Sequence, residues 1–335
     1  MRIARTVTAP IVALALGFLL LSCTAARAQA QAPASAPSSP LFTLKPLGHN
    51  VWAAIDNAKG EAGANAGFVI GDNGVAIIDT FENPEAAKQL LAEIRKRTNL
   101  PVKFVINTHY HIDHVAGNRI FQDAGAVVLA QRNVRTWIHT ENLKFFGKDI
   151  KPEEKTKVAE LGSPDIVYDI GTTLFLGSRR IDVRVYPGHT GGDSVVFIPD
   201  AGVVFCGDLF WRNTLPNLID ASTAAWLSTL DAISAAAPTA TFIPGHGDVG
   251  TASDVKSFRG YLADLRQLVA APAKASKTGD ALVSAVLPAL TEKYGKWDFF
   301  QYFAKPDILD TAAELRGDKK IPQPEVAIAA PTPAP

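Results

Sequence analysis

Cysteine is nearly absent from this chain of 335 residues: Cys23 and Cys206 are its only two. No disulfide framework can therefore support the fold. Neither sign of charge is in surplus, with Lys+Arg and Asp+Glu at 33 each, so the basic excess of a nucleic-acid binder is missing. The apolar run at residues 10–21 is too short to cross a bilayer. No repeat with a solenoid period and no glycine-rich nucleotide motif occurs. What remains is a chain 47% hydrophobic and 20% charged. That composition excludes wholesale disorder and suffices for one large domain or two modest ones with a sizeable core. Histidine is the informative residue, because five of the seven fall into one pattern.

The first residues read as an address. Arg2 and Arg5 precede the apolar run, and Ala26-Arg27-Ala28 supplies a small-x-small cleavage site, so residues 1–28 are expected to be a secretory signal peptide. An alternative reading takes Leu20-Leu21-Ser22-Cys23 as a lipoprotein box with Cys23 as the lipid anchor. Both readings place the protein in the periplasm or outside the cell. Cleavage after Ala28 removes three arginines and no acid from a balanced chain, leaving 307 residues at a formal charge of −3. Residues 29–40 are expected to form a flexible tether and 321–335 a disordered tail, both rich in alanine and proline.

Between these ends, strands are expected over 51–55, 67–70 and 75–79, a helix from Pro84 to about residue 97, and a buried strand over 102–107. A helical stretch should follow His114, then a strand over 126–129 and a helix over 131–146. A second group of strands is expected at 173–176, 181–186, 194–198 and 203–206, followed by a helix over 222–236, a strand at 241–243 and a helix over 253–269. Two strand groups, each followed by helices, predict two packed sheets with helices outside. The domain so formed is expected over 41–255, with a helical extension over 256–320 whose aromatic cluster at 294–303 reads as packing surface.

The chemistry concentrates at strand ends. The strand at 102–107 runs into Thr108 and then His109-Tyr110-His111-Ile112-Asp113-His114, four potential ligands within six residues. His189 and His246 each follow a Pro-Gly pair, and Asp208 closes Cys206-Gly207-Asp208. Imidazoles mixed with carboxylates suit Zn²⁺. Seven ligands exceed one tetrahedral ion but fit two ions that share a bridge. His49 and His139 stand outside the pattern, and Cys206 reads as a small buried core residue.

The ordered set His109-x-His111-x-Asp113-His114, His189, Asp208 and His246, with Asp79 closing an early strand, resembles the metallo-β-lactamase superfamily over residues 51–255. The resemblance implies an α/β fold, the four-layer αββα sandwich. It implies one zinc on His109, His111 and His189, a second on Asp113, His114 and His246, Asp208 reaching the second or bridging both, and Asp79 supporting the ligand loop. It also implies a hydroxide shared by two Zn²⁺ ions that attacks a polarised carbonyl or phosphoryl group, with Asp113 orienting it. Residues 207–221 are similar to the stretch that zinc β-lactamases carry after their last-but-one ligand, and Asn217 stands where they place an asparagine near the substrate carbonyl. Trp226 and residues 244–250 are similar as well.

Two positions depart from that pattern. Asp208 stands where those β-lactamases carry a cysteine ligand, and Trp211 where they carry a lysine for the drug's carboxylate. Arg212 falls on the other face of an extended segment. Aspartate at that ligand position is the habit of hydroxyacylglutathione thioesterases, lactonases and phosphodiesterases of the superfamily. Export and the lack of basic C-terminal residues argue against a glutathione thioesterase, and the charge of −3 against a nuclease. The expectation is a dinuclear zinc hydrolase opening β-lactam-type cyclic amides, acting on a small molecule, with no nucleic-acid partner and no membrane span. A lactone, ester or thioester hydrolase is the alternative, and a non-hydrolytic di-iron or partner-binding relative the second.

Overall fold

The computed structural model describes residues 39–322. The expected signal peptide, Cys23, most of the tether and most of the tail lie outside the described residues. Among the described residues no helix is long and apolar enough to cross a membrane.

Among the described residues, twelve strands form two sheets. The first holds β1 (Phe42–Pro46), β2 (Val51–Asp56), β3 (Ala66–Ile70), β4 (Val75–Ile78), β5 (Val102–Ile106), β6 (Val127–Gln131) and β7 (Ile166–Tyr168), side by side in chain order. β1 to β4 run antiparallel, and β4 to β7 run parallel through helical crossovers. The second sheet is ordered β12-β11-β10-β9-β8, from β8 (Gly171–Leu176), β9 (Arg179–Val185), β10 (Ser194–Ile198), β11 (Val203–Trp211) and β12 (Thr241–His246). Its one parallel pair is β11 with β12.

The helices are α1 (Pro84–Arg95), α2 (Ile112–Val115), α3 (Asn118–Asp123), α4 (Arg132–Trp137), α5 (Pro152–Ala159), α6 (Thr223–Ala236), α7 (Ala252–Lys274), α8 (Gly279–Tyr294) and α9 (Phe300–Arg316). Local sequence explains their starts. At α1, Asn83 Oδ1 accepts the Glu85 N–H at 2.9 Å and Pro84 opens the first turn, a capped N-terminus. Ala86, Ala87, Leu90 and Ile94 then bury one face.

Strand alternation builds the layers. In β3, Phe68 and Ile70 face α1 in one core, while Val69 faces the second sheet in another. The core between the sheets joins Val51, Ala53 and Ile78 to Val183, Val196 and Ile243. The opposite face of the second sheet, with Val195, Val204 and Phe242, packs on α6 to α9. The result is the αββα sandwich.

Several expectations need correction. The helix expected over 131–146 breaks into α4 and a 3₁₀ helix at Glu141–Phe146. Asn142 turns inward instead of continuing it, donating to Tyr110 O at 2.8 Å and Ile138 O at 2.9 Å, so a tertiary contact overrides helix propensity. β11 runs five residues past the expected end at 206, with all nine of its residues buried. The division expected at 255/256 falls inside α7. Val255, Phe258, Tyr261 and Leu262 join one core with α8 and α9, so the C-terminal helices are the sandwich's outer layer. β1, α5 and β7 were not expected at all. β1 and α5 lie at exposed edges with weak apolar patterning.

Candidate metal centre

The candidate ligands stand at the carboxyl ends of strands, where open α/β sheets form their sites. His109 to His114 follow β5, His189 follows β9, Asp208 lies in β11 and His246 closes β12. All seven expected ligands converge. His109, His111, His189 and Asp208 bring one ligand atom each to within 4.8 Å of one another, and Asp113, His114, Asp208 and His246 do the same. Asp208 belongs to both groups. Its Oδ2 lies 3.2 Å from His189 Nε2 and 3.7 Å from His109 Nε2, and its Oδ1 lies 3.0 Å from His114 Nε2 and 3.5 Å from His246 Nε2. Asp113 Oδ2 lies 3.2 Å from His246 Nε2.

Carboxylates behind the cluster fix which nitrogen His114 and His111 offer. Asp79, in the left-handed region at φ 55°, accepts the Thr108 N–H and hydroxyl, each at 2.7 Å, and the His114 Nδ1–H at 2.9 Å. His114 therefore presents Nε2. Asp220 accepts from His111 Nε2 at 3.1 Å and also from the Tyr110 hydroxyl and the Lys144 ammonium. His111 accordingly presents Nδ1, 3.0 Å from His189 Nε2. The nitrogens His109 Nε2, His114 Nε2 and His246 Nε2, with Asp208 Oδ1, are buried without a hydrogen-bond partner among the described residues. Buried polar atoms left orphaned in one small space call for a bound ion or water to pair with them, and imidazole nitrogen with carboxylate oxygen is a donor set that fits a borderline divalent cation.

Burial and neighbouring charge set the ionisation of the cluster. Burial and the neighbouring imidazole of His114 push His109 well below the ordinary histidine range, and burial lowers His111. Burial opposes charge on Asp113 and Asp208, but the histidines around them hold both carboxyls well below the ordinary range. Burial also disfavours charge on His246, which Asp208 and Asp113 nevertheless push up to about 9; His114 is raised well above its ordinary range by the same carboxylates.

Asp220 and Asn65 were not expected from the sequence. Asn65 donates to Pro244 O at 2.9 Å and Gly247 O at 2.8 Å, and so holds the His246 turn. Only glycine fits at position 245, because a Cβ there would lie 1.8 Å from Asp208 Oδ1. Asn217 closes a local turn, its Oδ1 accepting the Ile219 N–H at 2.9 Å, and that turn delivers Asp220 to the centre. Trp211 stacks on His246 at 4.0 Å and donates its indole N–H to Asp208 O at 2.8 Å. Arg212 faces away, toward Asp254 at 3.1 Å. Cys206 is buried in the helical-side core. His139 is structural, its nitrogens 2.8 Å from Val158 O and 2.8 Å from Ser163 Oγ. The aromatic cluster at 294–303 is only partly packing surface. Tyr294 and Phe300 bury in the helical core, whereas Phe299 stands 6.1 Å from His246.

Fold and ligand set together define a metallo-hydrolase. A profile of the metallo-beta-lactamase superfamily matches residues 60–246, more than half of the chain, and the chain belongs to that superfamily. It is 29% identical over 192 residues to the metallo-beta-lactamase IND-1 of Chryseobacterium indologenes, covering 56% of this chain and 73% of that one. It is 27% identical over 183 residues to the hydroxyacylglutathione hydrolase of Brucella ovis, covering 54% of this chain and 62% of that one. Among solved structures, the metallo-beta-lactamase from Pontibacter korlensis superposes with a TM-score of 0.55 at 24% identity, over 66% of this chain and 99% of that one.

Proposed function

We propose that the chain is a dinuclear zinc hydrolase of the periplasm or cell exterior that opens β-lactam-type cyclic amides. The observation that carries the two-metal reading is Asp208, which turns one carboxylate oxygen toward each ligand group. His109, His111 and His189 would hold one ion and Asp113, His114 and His246 the other. Two zinc ions, when bound, would bring the pKa of a water into the neutral range and polarise the carbonyl under attack.

The chain's own residues do the positioning. The Asp113 side chain is 24% exposed while His114 and Asp208 are at 3% or less, so substrate reaches the cluster over Asp113. As a carboxylate, Asp113 accepts a hydrogen bond from the attacking water and orients it. By the likeness of residues 207–221 to zinc β-lactamases, Asn217, whose Oδ1 is taken by its turn, would offer its Nδ2 amide to the carbonyl oxygen as negative charge develops there. The likeness of residues 207–221 to zinc β-lactamases and the similarity to IND-1 support a β-lactam substrate.

A second reading, hydrolysis of lactones, esters or thioesters, is favoured by aspartate rather than cysteine at position 208 and by the similarity to a hydroxyacylglutathione hydrolase. Initial rates of the zinc-loaded protein against nitrocefin, a carbapenem, a lactone panel and acyl thioesters decide between them. Chelator-sensitive β-lactam turnover supports the first reading. Lactone or thioester turnover with none of a β-lactam replaces it with the second.

A further inference from the structure

Beside the candidate metal centre stands an aromatic wall that ligand positioning does not explain. Trp211 is stacked on His246 with its ring at 22°. Phe299 approaches both, 6.1 Å from His246 and 6.4 Å from Trp211, and Tyr302 lies 6.2 Å from Phe299. Phe299 is 40% exposed and Tyr302 74% exposed, while Phe300 between them is buried. Apolar rings left open next to a ligand cluster mark a contact surface rather than core.

The backbone holds Phe299 there against its own preference. Its φ is +60°, a conformation that a bulky L-residue rarely adopts and that persists where surrounding structure imposes it. That structure is visible: Asp298 N donates to Asn213 O and Leu215 N to Asp298 O, each at 2.9 Å. These bonds tie the turn before α9 to the end of β11, the strand that carries Asp208. The turn is thus built onto the site, and its side chain points out of the core.

We propose that the exposed rings of Phe299 and Tyr302, backed by Trp211, which is only 3% exposed, form a substrate subsite, on the His246 side of the centre, that takes a planar apolar substituent such as a phenyl or phenylacetyl group. This rests on the hydrolytic reading above and extends it to substrate class. Aryl groups pack edge-to-face or offset on such rings, and the subsite is supplied by the C-terminal helical layer, not by the ligand loops.

Two measurements on the full-length zinc-loaded protein and its Phe299→Ala and Phe299→Leu variants test this. The first is the ratio of kcat/KM for a phenylacetyl-bearing substrate to that for its acetyl counterpart, in whichever class of amide, lactone or thioester is turned over. The second is a titration with phenylacetamide followed by tryptophan fluorescence, which reads the subsite without turnover. The wild type should bind phenylacetamide saturably. Each variant should lower both the ratio and the affinity by about tenfold, the worth of one aromatic contact, at unchanged metal content. No saturable binding by the wild type, or an unchanged ratio and affinity in a folded, metal-replete variant, overturns the proposal. Absence of any hydrolysis defeats the functional reading alone, because the titration still decides the subsite.

Discussion

Asp220 shows how a residue with no contact to a reacting atom governs the centre. It meets His111 Nε2 at 3.1 Å and is itself held by Tyr110 and Lys144, so the ring can turn only Nδ1 inward. Burial opposes its charge, but His111 and Lys144 keep its carboxyl below the ordinary range. Asp220→Asn should leave the protein folded and reduce metal affinity by about 10–100-fold, read by competition with a chromogenic chelator. Asn217→Ala should lower kcat by about 100-fold with metal content intact, the usual cost of one oxyanion donor; an unchanged kcat would assign Asn217 to its turn alone. The convergence of five histidines and two aspartates was legible because such residues at Pro-Gly and Gly strand ends form a pattern within the sequence. Asp220 and Asn65 were not, because each acts on a partner 109 or more residues away and a single buried acid or amide leaves no local signature.

At the scale of elements, buried strands and amphipathic helices declared themselves, as at β10 and α1. Where the structure departs from the sequence pattern, tertiary contacts decide the ends of elements. Asn142 breaks the expected helix by bonding the ligand loop, and β11 continues through Gly207 because both of its faces are covered. The helical layer carries one titration of its own. Asp307 of α9 accepts the Tyr261 hydroxyl of α7 at 2.5 Å, and burial raises its carboxyl well above the ordinary range. Its raised value means the folded form holds the proton after the unfolded chain has released it, so its contribution to stability declines as pH rises from the ordinary carboxylate range toward that raised value. Asp307→Asn keeps the acceptor and removes the ionisation. Melting temperatures at pH 5 and pH 8 should converge in the variant relative to the wild type; parallel behaviour would remove Asp307 from the pH response.

For the whole molecule, composition and strand grouping sufficed to anticipate two sheets with helices outside. The division expected at 255/256 falls inside α7, whose buried face joins the core over the second sheet. The superfamily match ends at residue 246, yet the core over the second sheet draws on α7, α8 and α9 through Leu265, Val286 and Ile308. Ending the chain after Lys274 would expose Phe258, Tyr261 and Leu265, at about 1.5–3 kcal/mol for each such side chain. The truncated protein should be insoluble or melt far below the full chain, and a soluble, cooperatively melting product would show the helices to be dispensable.

On the proposed function, one cluster joined by Asp208 holds two zinc ions and hydrolyses with them. The most direct measurement is a zinc titration of metal-free protein, following bound metal and initial hydrolysis rate together. Two equivalents should bind to the wild type, with turnover rising alongside and lost to chelator, and Asp208→Ala should abolish both tight sites. Full turnover at one equivalent, or two tight ions retained by Asp208→Ala, would contradict it.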